Sequence, residues 1–460
     1  MRWFGGAVTT DRAAAPVPVG ATVLWSGATS LWLVGGWPVH EVRVSGTGHD
    51  RVAVIGPCGI SAGALAGLCE GVPDDAVLAW SGAYTVVHAV GDRVTVLTDP
   101  AGSSPVYLTP AAGPGLGFVW ASSSRALASL AGGGVDLGWL ASSLLSPAVT
   151  VAGGRSAFAG VGLVRPGHRL RLRAGALPES VPIPWLRPDS AVHTPERLRA
   201  VLADAVAVRV GPASTPTADC SGGLDSTTLC LFAAHTKPVT AFTIHPADAN
   251  TGGDLDYARA ATAGKVNIEH VLLPMGTEHD PCCGLDTVPP SDEPAPSTVT
   301  YARLAAQLRH LAALGSDAHL TGDGGDTLFV LPPQYLADLL RAGRLTRLAR
   351  DTLGWARLRK VSPWPILAAA LSAAQAPRTV PAWSAYAATA TVGLDWATPW
   401  RGSWPPTSPA RPRGTRRDWT VQAASPSPRH NSSPGPRERT PNSPTRTACR
   451  CTTRCSTRRC

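Results

Sequence analysis

The sequence predicts two folded halves of different class followed by a segment without a core: a sheet-rich half, then an α/β half with a parallel sheet. Three observations point there. Short β-like segments punctuated by Gly and Pro fill residues 1 to about 175. From Thr194 the apolar period lengthens to that of a helix, and strands then alternate with helices over short connections. Beyond residue 400 the aliphatic residues all but vanish.

In the first half, residues 83–89 and 93–98 alternate apolar and polar positions about Val90-Gly91-Asp92, which predicts a hairpin. Residues 20–25, 31–33, 117–121 and 168–172 predict further strands. The second half opens with an N-cap candidate, Thr194, a proline at the first helical position, Pro195, and an acid in the first turn, Glu196. Leu198, Val201, Leu202, Ala205 and Val206 follow as a helical apolar stripe. Strands over 217–220, 239–244 and 270–273 are then separated by a glycine-rich turn and by helices over 226–234 and 255–264. A helix over 298–313 and a short strand over 318–320 come next, and 335–355 and 365–376 read as helical. No internal repeat is evident.

The 460 residues carry a formal charge of +9, with 41 Lys+Arg against 32 Asp+Glu. Residues 401–460 hold 13 Arg, no Lys and two acids, Asp418 and Glu438, so the first 400 residues are close to neutral. A nucleic-acid face belongs inside a folded domain, and this basic charge does not lie in one. Ten Pro and, among Ile, Leu, Met, Phe and Val, only Val421 make 401–460 a disordered tail by composition. That abrupt change is also what a GC-rich coding region yields in a shifted frame, so the tail is expected to be a frameshift product, with a functional nucleic-acid-binding or disordered arm as the alternative. Six scattered cysteines before residue 400 make no disulfide framework, and no apolar run suits a signal peptide or a membrane span. A soluble cytoplasmic protein is expected, with no nucleic-acid or membrane partner.

The chemistry concentrates in three loops. Ser221-Gly222-Gly223-Leu224-Asp225-Ser226 follows an apolar strand and opens a helix. Its glycines let backbone approach a phosphate, its serines add donors, and the helix N-terminus favours an anion. Asp225 in such a cradle would repel phosphate unless Mg²⁺ lay between them. Without a lysine it is not a Walker A loop. Thr321-Gly322-Asp323-Gly324-Gly325-Asp326 again follows a short strand and suits a metal or an amine. Asp292-Glu293-Pro294 precedes a helix.

SGGLDS, DEP and TGDGGD, in this order and at these distances, resemble the synthetase domain of the asparagine synthetase family. The first half is similar to that family too: Asp99-Pro100-Ala101-Gly102-Ser103-Ser104-Pro105-Val106-Tyr107 resembles its D-x-x-G-x-x-P-L-Y segment, residues 121–127 its following strand and helix, and residues 160–170 its G-x-x-x-x-x-P-G-H segment. The resemblance implies an α+β N-terminal nucleophile-hydrolase-like sandwich over 1–180, a degenerate glutaminase. An α/β ATP pyrophosphatase domain, adenine nucleotide α-hydrolase-like with a parallel sheet, follows over 190–400, and the tail is 401–460.

It implies ATP and Mg²⁺ as cofactors and an AMP-forming carbon–nitrogen ligase. Ser221, Gly222, Gly223, Leu224, Asp225, Ser226 and Gly324 would hold the nucleotide, Asp225 and Asp323 the metal, and Asp292, Glu293 and Asp326 would face metal or substrate. Two departures stand out. Glutamine-dependent members begin with a catalytic Cys, whereas Met1-Arg2 stands here and the first cysteine is Cys58, so no glutaminase is expected. Thr327 stands where the family often has an acid. The family's later lysine is missing, as Lys237, Lys265 and Lys360 are the only three, which leaves the site incomplete on this reading.

Members without the Cys include β-lactam synthetases and lasso-peptide macrolactam cyclases, which use an amine of the substrate itself. A cyclase acting on a precursor peptide is favoured, with leader-binding and peptidase partner proteins; the alternatives are an ammonia-dependent asparagine synthetase acting on a small amino acid, and an inactive remnant. His270, Glu278, His279, Asp280, Cys282 and Cys283 fit no zinc spacing and read as a solvated loop, and the tail's Cys449, Cys451, Cys455 and Cys460 lack a scaffold for a metal.

Overall fold

Strand residues of the first half alternate between two interiors, and burying both takes four layers. The structure, a computed structural model, describes residues 2–10, 17–111, 117–145, 154–183, 194–326 and 335–375. The chain divides into two compact units, Met1–Thr398 and Pro399–Cys460, and every described residue belongs to the first. The tail over 401–460, its cysteines and Thr327 lie outside the described residues.

The strands of the first half are β1 (Trp3–Val8), β2 (Thr22–Trp25), β3 (Thr29–Val34), β4 (Val42–Thr47), β5 (Asp50–Ile55) and β6 (Thr85–Val90). They continue as β7 (Arg93–Leu97), β8 (Val106–Pro110), β9 (Phe118–Ala121), β10 (Gly162–Val164), β11 (His168–Arg173) and β12 (Glu179–Pro182). Three helices interrupt them: α1 (Ala62–Gly67), α2 (Ser124–Ala131) and α3 (Leu137–Leu145). Two antiparallel six-stranded sheets result, ordered β10-β8-β9-β1-β3-β2 and β12-β11-β7-β6-β5-β4.

Phe4, Leu31, Leu33 and Trp120 of the first sheet meet Ala53, Ile55, Val87, Val96 and Leu170 of the second in one shared core. Their strand neighbours turn the other way. Val52, Val54 and Val86 pack with Leu65 of α1, and Ala7, Trp32 and Val119 pack with Leu127 of α2. The predicted hairpin is β6–β7 with Val90 facing Arg93, so its turn is Gly91-Asp92, with Gly91 at φ +59°. Strand β1 escaped sequence reasoning because Gly5-Gly6 interrupts its apolar alternation. Those glycines answer to packing: a Cβ on Gly6 would stand 2.3 Å from the Ser30 carbonyl oxygen and 2.7 Å from the Trp120 ring.

The second half has a parallel sheet, β15-β14-β13-β16, from β13 (Pro216–Asp219), β14 (Val239–Pro246), β15 (Ile268–Met275) and β16 (Ala318–Leu320). Its helices are α4 (Pro195–Val210), α5 (Leu224–Thr236), α6 (Gly253–Thr262) and α7 (Tyr301–Ala313). The Thr194 hydroxyl accepts from the Arg197 N–H at 3.2 Å, the expected N-cap. Ala218 and Cys220 pack with Val206 and Val210 of α4, Cys230 and Ala233 of α5 and Ala258 of α6. On the opposite face Phe242 meets His310 of α7 edge-on at 5.4 Å. Helices therefore cover both faces.

Three expectations are corrected. Leu198 and Val201 of the α4 stripe are 45% and 51% exposed, because only the C-terminal part of that helix, at Val206 and Val210, reaches the core. The helical stretch 335–355 is two helices, Tyr335–Arg341 and Leu345–Arg359, broken at Gly343 with φ +67°; with Pro363–Gln375 they form their own apolar cluster. The helix over 298–313 starts as a 3₁₀ turn, Pro296–Thr300, and becomes α-helical at Tyr301.

Candidate functional site

The order of the parallel strands locates the site. From β13 the chain moves through α5, β14, α6 and β15 to one side, whereas β16 pairs with the other edge of β13 after α7 on the opposite face. The β13/β16 seam is thus a topological switch point, and ligands of open α/β sheets bind in the crevice at the carboxyl ends of the strands there. Both glycine-rich loops leave from those two ends.

The 221–226 loop is folded on itself. Ser226 Oγ accepts from the Ser221 N–H at 3.0 Å and lies 2.7 Å from Ser221 Oγ, which accepts from the Gly223 N–H at 3.3 Å. Gly222 has φ +85°, and a Cβ there would stand 2.1 Å from the Asp254 carbonyl oxygen, so only glycine fits. Gly223 is the N-cap of α5 and brings no side chain to its first-turn N–H groups, and Leu224 is exposed beside them. An uncapped helix start is an anion site in waiting.

The 321–326 loop presses on it directly. A Cβ on Gly322 would lie 2.8 Å from the Ser226 nitrogen, and one on Gly325 would lie 2.4 Å from the Asp225 carboxyl carbon. Gly324, at φ +93°, faces open space. Sequence-predicted Ser221 to Ser226 and Gly324 thus share one crevice with the backbone that carries Asp323 and Asp326.

Asp225, Asp323 and Asp326 have no ion pair and no side-chain hydrogen bond among the described residues. Carboxylates with no side-chain partner in the fold keep their oxygen lone pairs available to a cation. Mg²⁺ fits this donor set: it takes hard oxygen ligands and needs only one or two carboxylates when phosphates supply others. No group of three or more His, Cys, Asp or Glu able to cage a metal occurs among the described residues.

Asp292 and Glu293, expected to face metal or substrate, lie against side chains of the first half. Asp292 Oδ1 accepts from Ser123 Oγ at 2.7 Å and from the Arg125 N–H at 2.8 Å, capping α2 of the sandwich. Glu293 Oε1 accepts from the Tyr107 hydroxyl at 3.2 Å. Burial pushes the Glu293 carboxyl above its ordinary value; the Tyr107 hydrogen bond opposes the shift and the Asp292 charge adds to it. The physical reason for the placement is α2 itself, whose free N–H groups and positive dipole end attract a carboxylate. His270 is held by hydroxyls, with Nε2 2.7 Å from Thr243 Oγ1 and Nδ1 3.0 Å from Thr262 Oγ1, while Glu278 and His279 pair with each other at 3.1 Å.

Sequence reasoning missed a polar group beneath the two loops. Gln307 Nε2 of α7 donates to Asp219 Oδ1 at 2.7 Å, and His319 Nε2 lies 3.2 Å from the same oxygen. A signal was available: Asp219 and His319 each stand two residues before the hydroxyl that opens a glycine-rich loop, Ser221 and Thr321.

Residues 197–430, just over half of the chain, match the family described as asparagine synthase. The chain belongs to the asparagine synthase family. The matched segment includes both loops and runs past residue 400. No curated protein matches the chain.

Among solved structures, an NH3-dependent NAD synthetase from Campylobacter jejuni subsp. jejuni NCTC 11168, in complex with the nitrate ion, is 16% identical over 30% of this chain and 60% of its own, with a TM-score of 0.22. The chain thus spans less than two thirds of that synthetase. The allosteric regulatory enzyme of purine biosynthesis is 13% identical, covering 69% and 83%, with a TM-score of 0.25. A glutamine phosphoribosylpyrophosphate amidotransferase from B. subtilis, complexed with ADP and GMP, is 11% identical, covering 69% and 84%, also at 0.25. At these TM-scores the likenesses bear on neither mechanism nor substrate. Among the described residues no helix is long and apolar enough to cross a membrane.

Proposed function

We propose that this member of the asparagine synthase family forms amide bonds at the expense of ATP through an acyl-adenylate. The observation that carries the reading is the switch-point crevice, where an uncapped α5 start and the unpaired Asp225 share contact with a second acidic loop. The Ser221-Gly222-Gly223 backbone and the start of α5 would bind the phosphates of ATP. Asp225 and Asp323 would hold Mg²⁺, which when bound screens the phosphate charge.

A substrate carboxylate oxygen attacks the α-phosphorus and pyrophosphate leaves; an amine then attacks the acyl carbon, AMP leaves, and the amine's proton passes to a base, for which Asp326 is the candidate. Holding carboxylate and amine together in the crevice supplies the rate advantage of an intramolecular reaction. This suits a substrate that carries both groups, so macrolactam closure of a precursor peptide is the finer reading, and ammonia-dependent conversion of aspartate to asparagine the second. The four-layer first half supports a nucleophile-hydrolase-like origin, and in this reading it anchors Asp292 and Glu293.

The test is incubation of the full chain with ATP, Mg²⁺ and candidate substrates, with AMP, ADP and pyrophosphate quantified. AMP and pyrophosphate in equal amounts are expected, dependent on a carboxylate substrate. ADP and inorganic phosphate as products would overturn the adenylation step.

A further inference from the structure

We propose that Asp219, His319 and Gln307 are positioning residues that clamp the phosphate-side loop to the acidic loop, an inference that rests on the nucleotide reading above. Backbone pairing between β13 and β16 ends at Ala218 and Leu320, one residue short of Asp219. Both loops begin just beyond, so the ladder offers no restraint where spacing matters. The side chains take over at that point. Asp219 Oδ1 gathers Gln307 Nε2 at 2.7 Å and His319 Nε2 at 3.2 Å, which joins β13, β16 and α7 on one oxygen.

The far side of the imidazole is also held. His319 Nδ1 lies 2.8 Å from Thr217 Oγ1, which lies 2.8 Å from Ser316 Oγ. His319 Nε2 also lies 3.2 Å from Gln307 Nε2, so the three side chains close a triangle, and Thr217 Oγ1 donates to the Ala318 carbonyl at 3.2 Å. Phe242 packs edge-on against the ring at 6.4 Å. The Asp219 and His319 side chains are only 25% and 15% exposed. Apolar residues would fill such positions at lower desolvation cost, so this polar group is best explained by the geometry it specifies.

That geometry has little slack. Gly322 and Gly325 approach Ser226 and Asp225 so closely that a single Cβ on either would collide. A slip of β16 along β13 would drive the loops together or separate Asp225 from the acidic loop. Loss of the clamp should therefore weaken the Mg²⁺-dependent share of ATP affinity, which needs both loops, more than the Mg²⁺-independent share, which needs only the first.

Titration calorimetry on the full chain, with ATP plus Mg²⁺ and with ATP plus EDTA, tests this. Asp219→Ala and His319→Ala should each lose the Mg²⁺-dependent gain by roughly 10-fold or more, the scale of supporting-residue losses at metal sites. ATP affinity in EDTA should move by less than about twofold, and the two losses should be non-additive in the double variant. Asp219→Asn, which keeps the accepting oxygen, should restore most of the gain. Where Asp219→Ala fails to fold, Gln307→Met, which removes one donor and keeps the volume, should show the same selective loss. Equal losses with and without Mg²⁺, or unchanged affinities, would overturn the clamp. A parent chain that binds no ATP would overturn the nucleotide reading and the clamp with it, and that outcome is visible before any variant is made.

Discussion

Asp99 lies in the glycine-containing turn after β7 of the first half and Asp225 in the first turn of α5 just after a glycine-rich loop, yet their surroundings are opposite. Asp99 is 6% exposed: its Oδ1 accepts from the Ala101 N–H, and its Oδ2 accepts from the N–H and hydroxyl of Ser103. Its backbone carbonyl also accepts from Gly102 and Gly167. The Asp225 carboxylate has no hydrogen-bonding or ionic partner among the described residues and touches the backbone of a second acidic loop instead. A carboxylate whose two oxygens are both hydrogen-bonded inside the fold is a structural element, whereas one left open at a switch-point crevice is available to a ligand. Residue type alone cannot make that distinction.

The sharpest way to break the comparison is to remove each carboxylate and read affinity and stability together. Asp225→Ala should lower ATP affinity in the presence of Mg²⁺ by about 100-fold, since a metal ligand contributes several kcal/mol of charge stabilisation. Its melting temperature should stay within a few degrees of the parent, because the carboxylate makes no side-chain hydrogen bond or ion pair among the described residues and loses only a first-turn helix-dipole contact. Calorimetric titration beside a thermal melt checks both, and a destabilised variant with intact affinity would reverse the assignment.

Asp99→Ala should do the converse. The part-buried Ala101 and Ser103 N–H groups lose their acceptor, at a cost of about 1–3 kcal/mol in unfolding free energy by denaturant titration. ATP affinity should stay within about twofold of the parent, as expected for sites that share no partners. A comparable loss of nucleotide binding would show that the two turns are coupled and the contrast is false.

The smallest effect concerns the carboxylate between the halves. Burial raises the Glu293 pKa above its ordinary 4.5, so the native state favours the protonated acid. The stabilisation this brings is complete below that value and is lost as pH rises towards the raised native value. Glu293→Gln keeps an oxygen for the Tyr107 hydroxyl and carries no charge. It should melt a little higher than the parent at pH 7, and the difference should vanish below about pH 4.5. A difference that does not change with pH would mean that Glu293 is ionised without penalty.

The local signals were legible because their causes are local. Thr194, Pro195 and Glu196 mark a helix start through capping and a preset φ, and the α5 start after Gly223 follows from the same chemistry. The loops 221–226 and 321–326 stood out in the sequence because glycine, hydroxyl and carboxylate in one short stretch suit an anion or a cation. The inward stripe on α4 was misjudged at Leu198 and Val201 because periodicity marks an apolar face and not how far a neighbouring layer extends along it.

The class of each half, the strand-turn-helix placement of the 221–226 loop and the acidic character of the 321–326 loop were readable from the sequence, since all of them depend on neighbours within a few residues. Packing brought in what the sequence did not show: Gly322 and Gly325 bring those loops into contact, Asp292 and Glu293 hydrogen-bond to α2 and Tyr107, and Asp219, Gln307 and His319 meet on one oxygen. These pairings span about 90 to 190 positions, and they are set by strand order and by which helix covers which face. Chain neighbours carry no trace of such distances, so the partner that a carboxylate finds, and with it the role it takes, is settled by packing.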